Sequence, residues 1–331
     1  MTSPPFDRAI VTGGAGFVGS HLCEALLSAG TRVVCLDDLS SGRREHLAPL
    51  SGSPRFRFVR HDVTLPWPEP WPGPDAAGRV LVAHLASAAS PVDYHRRPLE
   101  TLRAGAAGTE HALAAAQRYG ARFLLASTSE VYGDPEVHPQ HEGYHGDVDP
   151  VGPRSCYDEA KRYAEALTTA HRRVHGTDTA IARLFNTYGP RMRPGDGRMV
   201  PTFVDQALRG VPITVTGSGE QTRSLCHVDD TVRGLLALAA SDHPGPMNIG
   251  NPTERSVHAV AELVRDLTGS ASEITAVPAA ADDPRRRRPD IGLAGRELGW
   301  EPRIGLEEGL RHTVGWFASR STVPTPVDSA V

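Results

Sequence analysis

The stretch from Ala9 to Asp38 constrains the fold more than any other part of the chain. Ala9-Ile10-Val11 is a short apolar strand that runs into Thr12-Gly13-Gly14-Ala15-Gly16-Phe17-Val18-Gly19. Leu22, Ala25, Leu26 and Leu27 then recur at helical spacing up to Gly30, and Arg32 to Leu36 is a second apolar strand closed by Asp37-Asp38. Glycines permit a tight turn and let backbone N–H groups at a helix N-terminus approach a pyrophosphate. An acid ~20 residues further on accepts the ribose hydroxyls of an adenosine. A glycine-spaced turn alone reads equally as an ordinary turn. With strand, helix, strand and acid in this order, the expectation is dinucleotide binding through Gly13, Gly16, Phe17, Val18, Gly19, Asp37 and Asp38. Asp37 disfavours a 2′-phosphate, so NAD is expected over NADP, a preference that the nearby Arg43 weakens.

The same rhythm continues. Phe56 to Val59 reads as a third strand, followed by Asp62-Val63, where an acid could meet the adenine amino group. Val80 to Leu85 is a fourth strand, and Leu85-Ala86-Ser87 offers small residues that let backbone pass close to the cofactor. A long alanine-rich helix is expected from Leu99 to Tyr119, a fifth strand from Arg122 to Ala126, a helix from Tyr157 to Arg173 and a sixth strand from Asp178 to Leu184. This alternation predicts an α/β fold, a doubly wound parallel sheet over residues 1–189. Beyond Pro190 the rhythm changes. Residues 190–318 are expected to form a smaller substrate-binding lobe, and 319–331 a disordered tail. The proline-rich Pro66 to Pro74 reads as a rigid surface loop, with a polyproline ligand as the alternative.

Composition excludes several function classes. Over 331 residues, 35 Lys+Arg stand against 39 Asp+Glu, a net charge of −4 that gives no pull toward nucleic acid or anionic membrane. The four cysteines lack CxxC or CxxH spacing, so neither a metal site nor a disulfide framework is expected. No apolar run approaches the ~18 residues of a membrane span, and the start shows no basic leader or apolar core. A cytoplasmic protein without membrane attachment is the expectation.

Two stretches carry candidate chemistry. After the apolar Phe123 to Ala126 come Ser127-Thr128-Ser129-Glu130, hydroxyls and a carboxylate placed at the C-terminal edge of a buried strand, where ligands sit in open parallel sheets. Tyr157 and Lys161 are four apart, one turn above another on a helix. An ammonium beside a phenol favours phenolate, which can act as a base. An isolated pair of this kind is more often a helix-surface pair.

Taken together, TGGAGFVGSH (Thr12 to His21), the Thr128 to Gly133 run, Tyr157 with Lys161, and Phe185-Asn186-Thr187-Tyr188-Gly189-Pro190 resemble the extended short-chain dehydrogenase/reductases of the NAD-dependent epimerase/dehydratase family. The resemblance runs from about Ile10 to Phe317. It is closest to the UDP-glucuronate decarboxylases, in HLASAASPVDY (His84 to Tyr94), LLASTSEVYGDPEVHPQ (Leu124 to Gln140), VGPRSCYDEAKR (Val151 to Arg162) and DDPRRRRPDI (Asp282 to Ile291).

The resemblance implies a mechanism. Tyr157, supported by Lys161, takes the proton of the sugar C4 hydroxyl while hydride passes to NAD. The C6 carboxylate, now β to a ketone, leaves as CO₂ with the C4 oxygen held by Tyr157 and by Thr128 or Ser129, and the hydride then returns. Glu130 assists proton transfer or ring positioning. Ser87, Tyr94, Asn186, Arg191, Val200, Arg223 and Arg287 are implied to hold the nucleotide sugar, with Val200 and Phe203 near the base or simply in the core. Two subunits are implied to pair as a homodimer through Leu102–Gln117 and Tyr157–Arg173. Sugar 4,6-dehydratases usually carry Asp where this chain has Ser129, and 4-epimerases usually lack the glutamate of Glu130. A dTDP- or UDP-glucose 4,6-dehydratase and a UDP-glucuronate 4-epimerase are the alternatives. The chain departs from the pattern at Asp38, Ala88 and His145, and Ala88 bears on specificity.

Overall fold

Every residue of Arg8–Thr12 (β1), Val80–His84 (β4) and Arg122–Thr128 (β5) is buried. Strands covered on both faces belong to a parallel sheet flanked by helices. The computed structural model describes residues 5–67, 78–278 and 286–320 and contains such a sheet. Together with β2 (Arg32–Asp37), β3 (Phe56–Arg60), β6 (Thr179–Leu184) and the strand Met247–Ile249, it has seven parallel strands. Their order is Met247–Ile249, β6, β5, β4, β1, β2, β3. The order reverses between β1 and β4, which opens a crevice at their C-terminal ends.

Helix α1 (Phe17–Ser28) buries Leu22, Cys23, Leu26 and Leu27 against the sheet. The expected alanine-rich helix is three pieces: Pro98–Arg103, a wider turn at Ala104–Gly108, and Thr109–Arg118. Its neighbour is the helix Ser155–His175, whose buried Tyr157, Ala160, Lys161, Ala164 and Thr168 recur at helical spacing. A β-carbon on Gly105 would stand 2.7 Å from the Ala160 methyl, so the two helices meet at a distance only glycine allows.

A second apolar cluster joins Tyr188, Met192, Val200, Phe203, Val204, Ile213, Val257, Val260, Leu310 and Phe317. It lies between the helices Met199–Leu208, Val257–Thr268 and Leu306–Ala318. The chain does not stay in this second region after residue 190. The helix Val228–Ala240 buries Val228, Leu235 and Leu238 in the sheet's own cluster, and the buried strand Met247–Ile249 pairs with β6. Without that strand the apolar edge of β6 would face water. The proline-rich loop beyond Trp67, Arg285 and the chain from residue 321 lie outside the described residues.

Candidate active site

A cleft of about 890 Å³ opens along the C-terminal edge of the sheet and is walled on the far side by the second apolar region. At one end stands the glycine-rich turn. A β-carbon on Gly19 would lie 2.1 Å from the Gly13 carbonyl oxygen, so the turn closes on itself only because no side chain intervenes. Gly16 caps α1 without any side-chain hydrogen bond, and Gly13, Gly16, Phe17, Val18 and Gly19 all line the cleft. The Thr12 hydroxyl accepts from the backbone N–H groups of Leu85 (3.2 Å) and Ala86 (3.3 Å), locking the end of β4 against this turn. Leu85, Ala86 and Ser87 line the opposing wall.

Asp37 ends β2 and is buried, its carboxylate accepting from Ala15 N–H (2.9 Å) and Leu39 N–H (2.8 Å). Burial raises its pKa against those hydrogen bonds. Asp38 accepts from Ser40 N–H at 2.8 Å, and Asp62, exposed, from Thr64 N–H at 2.9 Å. Val63 is buried, and these three also line the cleft. A narrow backbone cradle, a helix N-terminus and a carboxylate fixed by two main-chain bonds suit a dinucleotide.

At the cleft's centre Tyr157 and Lys161 lie in the first turns of the helix Ser155–His175, and both are buried. The ammonium stands beside the phenol ring, as the spacing expects, and is also tied to the backbone. Lys161 Nζ donates to the Ala126 carbonyl at 2.9 Å and lies 5.9 Å from the centre of the Tyr157 ring. Burial lowers the lysine's pKa to about 8, opposed by Glu165. Burial, then the charge of Glu130, raises the tyrosine's pKa, whereas a hydrogen bond with Thr128 acts the other way. The protein's own groups therefore hold a neutral phenol. Tyr94 stacks on Tyr157, ring centres 5.3 Å apart and planes 11° from parallel, and forms the wall behind it.

Thr128 ends β5, its hydroxyl accepting from Glu130 N–H at 3.2 Å, and Ser129 is buried beside it. The Glu130 carboxylate is gripped by two guanidinium groups, those of Arg287 and Arg154. Arg287, implied to hold the sugar phosphate, is paired with Glu130 here through both carboxylate oxygens. Asp158, next to Tyr157 in sequence, lies 3.9 Å from Arg154 and is itself buried. Its pKa is pushed up to about 7, first by burial and then by Glu130, against the pull of Arg154 and Arg287.

The remaining expected contacts spread along the far wall. Asn186 lines the cleft, its carbonyl accepting from Cys226 N–H at 2.9 Å. Arg223 is buried and donates to the Thr222 carbonyl at 2.8 Å. Val200 and Phe203 belong to the second core cluster and also reach the cleft. Arg191 lines the cleft where the chain crosses α1, and pairs there with Glu24. Arg193 pairs with Asp93 at 2.6 Å, joining the crossing segment to the helix Pro91–Arg96.

Residues 9–250 match the model of the NAD dependent epimerase/dehydratase family. The chain belongs to that family. Among its relatives are UDP-glucuronic acid decarboxylase 1 of Arabidopsis thaliana, 48% identical over 95% of this chain and 70% of the relative. UDP-glucuronic acid decarboxylase 1 of Xenopus tropicalis is 46% identical over 98% of this chain and 77% of the relative. A UDP-glucose 4-epimerase of Thermotoga maritima, solved with UDP-glucose, superposes with a TM-score of 0.83 at 31% identity, covering 94% of this chain and 99% of that one.

For this epimerase/dehydratase family member, sequence reasoning passed over Arg154, Asp158 and Arg193. Arg154 and Asp158 had a signal, since four-residue spacing puts opposite charges one turn apart on a helix face next to Tyr157. Arg193 had none, because its partner lies 100 residues away. Among the described residues no helix is long and apolar enough to cross a membrane.

Proposed function

We propose that this protein is an NAD-dependent lyase that decarboxylates UDP-glucuronate to UDP-xylose and CO₂. The observation that carries this reading is the Glu130 carboxylate held between Arg154 and Arg287 beside Tyr157, a carboxylate-binding pair of cations where the sugar's reacting carbons would lie. The 46–48% identity to named decarboxylases over almost the whole chain supports it. NAD would be held by Gly13, Gly16, Phe17, Val18 and Gly19 at its diphosphate and by Asp37 at its ribose, with Asp38, Asp62, Val63 and Leu85 to Ser87 alongside. Bound there, it supplies a reversible hydride acceptor, so that oxidation at C4 and its reversal need no outside redox partner.

Tyr157 takes the proton of the C4 hydroxyl, with Lys161 adding positive charge behind it. The phenol raised by burial becomes an effective base only when further positive charge arrives beside it, so proton removal waits for the loaded site. Once C4 is a ketone, the C5–C6 bond breaks as its electrons flow into the C4 carbonyl and CO₂ departs. Tyr157 and Thr128 donate to the C4 oxygen as charge develops there, with Ser129 adjacent. Protonation at C5 and restoration of the C4 hydroxyl complete the turnover. Asn186, Arg223 and Arg191 serve the nucleotide diphosphate, Val200 the base, and Ser87 and Tyr94 the sugar. Exposed Leu99, Leu102 and Tyr163 on the helices beside Tyr157 support pairing of two copies.

The test is a mass-resolved product assay with NAD, offering UDP-glucuronate and dTDP-glucose in parallel. A pentose nucleotide and CO₂ from UDP-glucuronate are expected. Loss of water from dTDP-glucose with UDP-glucuronate untouched would overturn the reading in favour of a 4,6-dehydratase. Inversion at C4 with the carboxylate retained would make it an epimerase.

A further inference from the structure

Arg287 sits on neither a helix nor a strand, yet its guanidinium meets both oxygens of Glu130. A long side chain keeps one geometry at a site only where its own backbone is held. Just beyond Arg287 the chain is held by Gln140, which is fully buried. The Gln140 backbone N–H donates to the Arg288 carbonyl at 2.9 Å, and its carbonyl accepts from Asp290 N–H at 2.7 Å. Its side chain repeats the hold: Oε1 accepts from Arg288 N–H at 2.9 Å, and Nε2 donates to the Val137 carbonyl at 2.8 Å. Both backbone groups of Arg288, the neighbour of Arg287, therefore end on one residue.

Asn248, on the strand Met247–Ile249 beside β6 and also fully buried, joins this ladder to the other half of the pair. Its Nδ2 donates to the Gln140 carbonyl at 3.0 Å and to the Asp290 carbonyl at 3.1 Å. Its Oδ1 accepts from the Tyr132 hydroxyl at 2.8 Å. Carbonyls only accept, so the amide is satisfied in this orientation and not in the flipped one. Tyr132 closes the short turn Ser129–Tyr132 that carries Glu130, and it is buried too. Arg183 donates to the Tyr132 hydroxyl at 3.0 Å, which leaves the phenolic proton for Asn248. One amide thus touches the segment of Arg287 on one side and the turn of Glu130 on the other. Tyr132, Gln140 and Asn248 all stand behind the cleft, outside its lining.

We propose that Gln140 and Asn248 are positioning residues for the reaction, setting the separation of Glu130 and Arg287 from behind the cleft. Neither touches substrate. Gln140 acts through the backbone of Arg288, and Asn248 holds that backbone at a fixed distance from the Glu130 turn. Their role rests on the site read above, not on which nucleotide sugar it transforms. Loosening the junction displaces the guanidinium without removing it, and a misplacement of about 1 Å can cost up to ~10²-fold in rate. Because each partner is buried, no water replaces a lost hydrogen bond, and the junction is stiff for that reason.

The experiment is a double-mutant cycle of Gln140→Met with Arg287→Ala. It is read as kcat/KM in the product assay and as UDP-glucuronate affinity by calorimetric titration of the NAD-loaded protein. Methionine keeps the length of the side chain and both backbone hydrogen bonds, and removes only the side-chain ones. Gln140→Met alone should lower kcat/KM about tenfold and leave NAD affinity within about twofold. In the Arg287→Ala background the same change should cost less than about twofold, because the group it positions is gone. Tyr132→Phe cuts the Asn248 link by one hydroxyl and leaves the rings packed, so it serves even where Gln140→Met does not fold. It should lower kcat/KM about threefold, and that loss too should vanish with Arg287→Ala. Equal losses in both backgrounds, or weakened NAD binding in either variant, would mean a general role in the fold and overturn the proposal. Wild-type decarboxylation is followed in the same preparations. Its absence removes the decarboxylase reading alone, and the affinity cycle still decides the positioning.

Discussion

The two ends of the cleft are built from different materials. At the glycine-rich end the surface is main chain: Gly13 to Gly19, the N-terminus of α1, and Leu85 to Ala86 pinned by the Thr12 hydroxyl. At the other end it is long side chains: Glu130, Arg154, Asp158 and Arg287. The first end is defined by how closely backbone can approach backbone, so it tolerates no added atom and responds little to pH. The second is defined by charge balance among partly buried groups, so it tolerates changes of shape and responds strongly to loss of a charge. Tyr157 stands where the two meet.

That contrast can be broken in order of expected effect. Tyr157→Phe removes the group both ends serve; kcat should fall about 10³-fold, within the range for a lost acid–base group. NAD and UDP-glucose should still bind by titration. Loss of both affinities would mean that the two ends are one structural unit. Arg287→Ala acts on the charged end alone. It strips the contact to both oxygens of Glu130, and kcat/KM for UDP-glucuronate should drop about 10²-fold. NAD affinity, read by protein fluorescence quenching, should stay within about twofold, since no charge is altered at the glycine end.

Gly19→Ala acts on the main-chain end. The new methyl meets the Gly13 carbonyl, and NAD should bind about 30-fold more weakly, equivalent to ~2 kcal/mol of distortion. Unchanged NAD affinity would show that the turn can yield, which the contrast forbids. The smallest effect is on stability. Asp158 is raised in the folded protein, so the stability it permits is full below the ordinary carboxylate range and is lost as pH rises from there through about 7. Asp158→Asn should melt higher than the wild type at pH 8, by a few °C for each ~1–2 kcal/mol, and show no such gain at pH 4. An equal gain at both pH values would place the effect in packing rather than charge.

The main-chain end could be read from sequence because its requirements are local. Gly13, Gly16, Gly19 and Asp37 fall within one strand–helix–strand unit, and their spacing states the geometry. The seven-stranded parallel sheet was visible for the same reason in all but one strand. Met247–Ile249 is three residues long, too short for a periodic signal, and finds its place only against β6. At the charged end the motif Thr128-Ser129-Glu130 and the Tyr157–Lys161 spacing pointed to the right place, but not to the arrangement within it. Lys161 was expected to favour phenolate beside Tyr157; it does stand 5.9 Å from the ring's centre, yet burial keeps the phenol's pKa raised.

The amino-acid sequence by itself determined which residues form strands and helices, where a dinucleotide cradle lies, and which tyrosine stands on which helix face. These follow from backbone sterics and side-chain period, which act over a few residues. Only the tertiary structure decided that Arg287, 157 residues from Glu130, shares that carboxylate with Arg154, and that Asp158 is buried beside them. Coulomb forces and desolvation depend on distance in space, and the fold sets that distance.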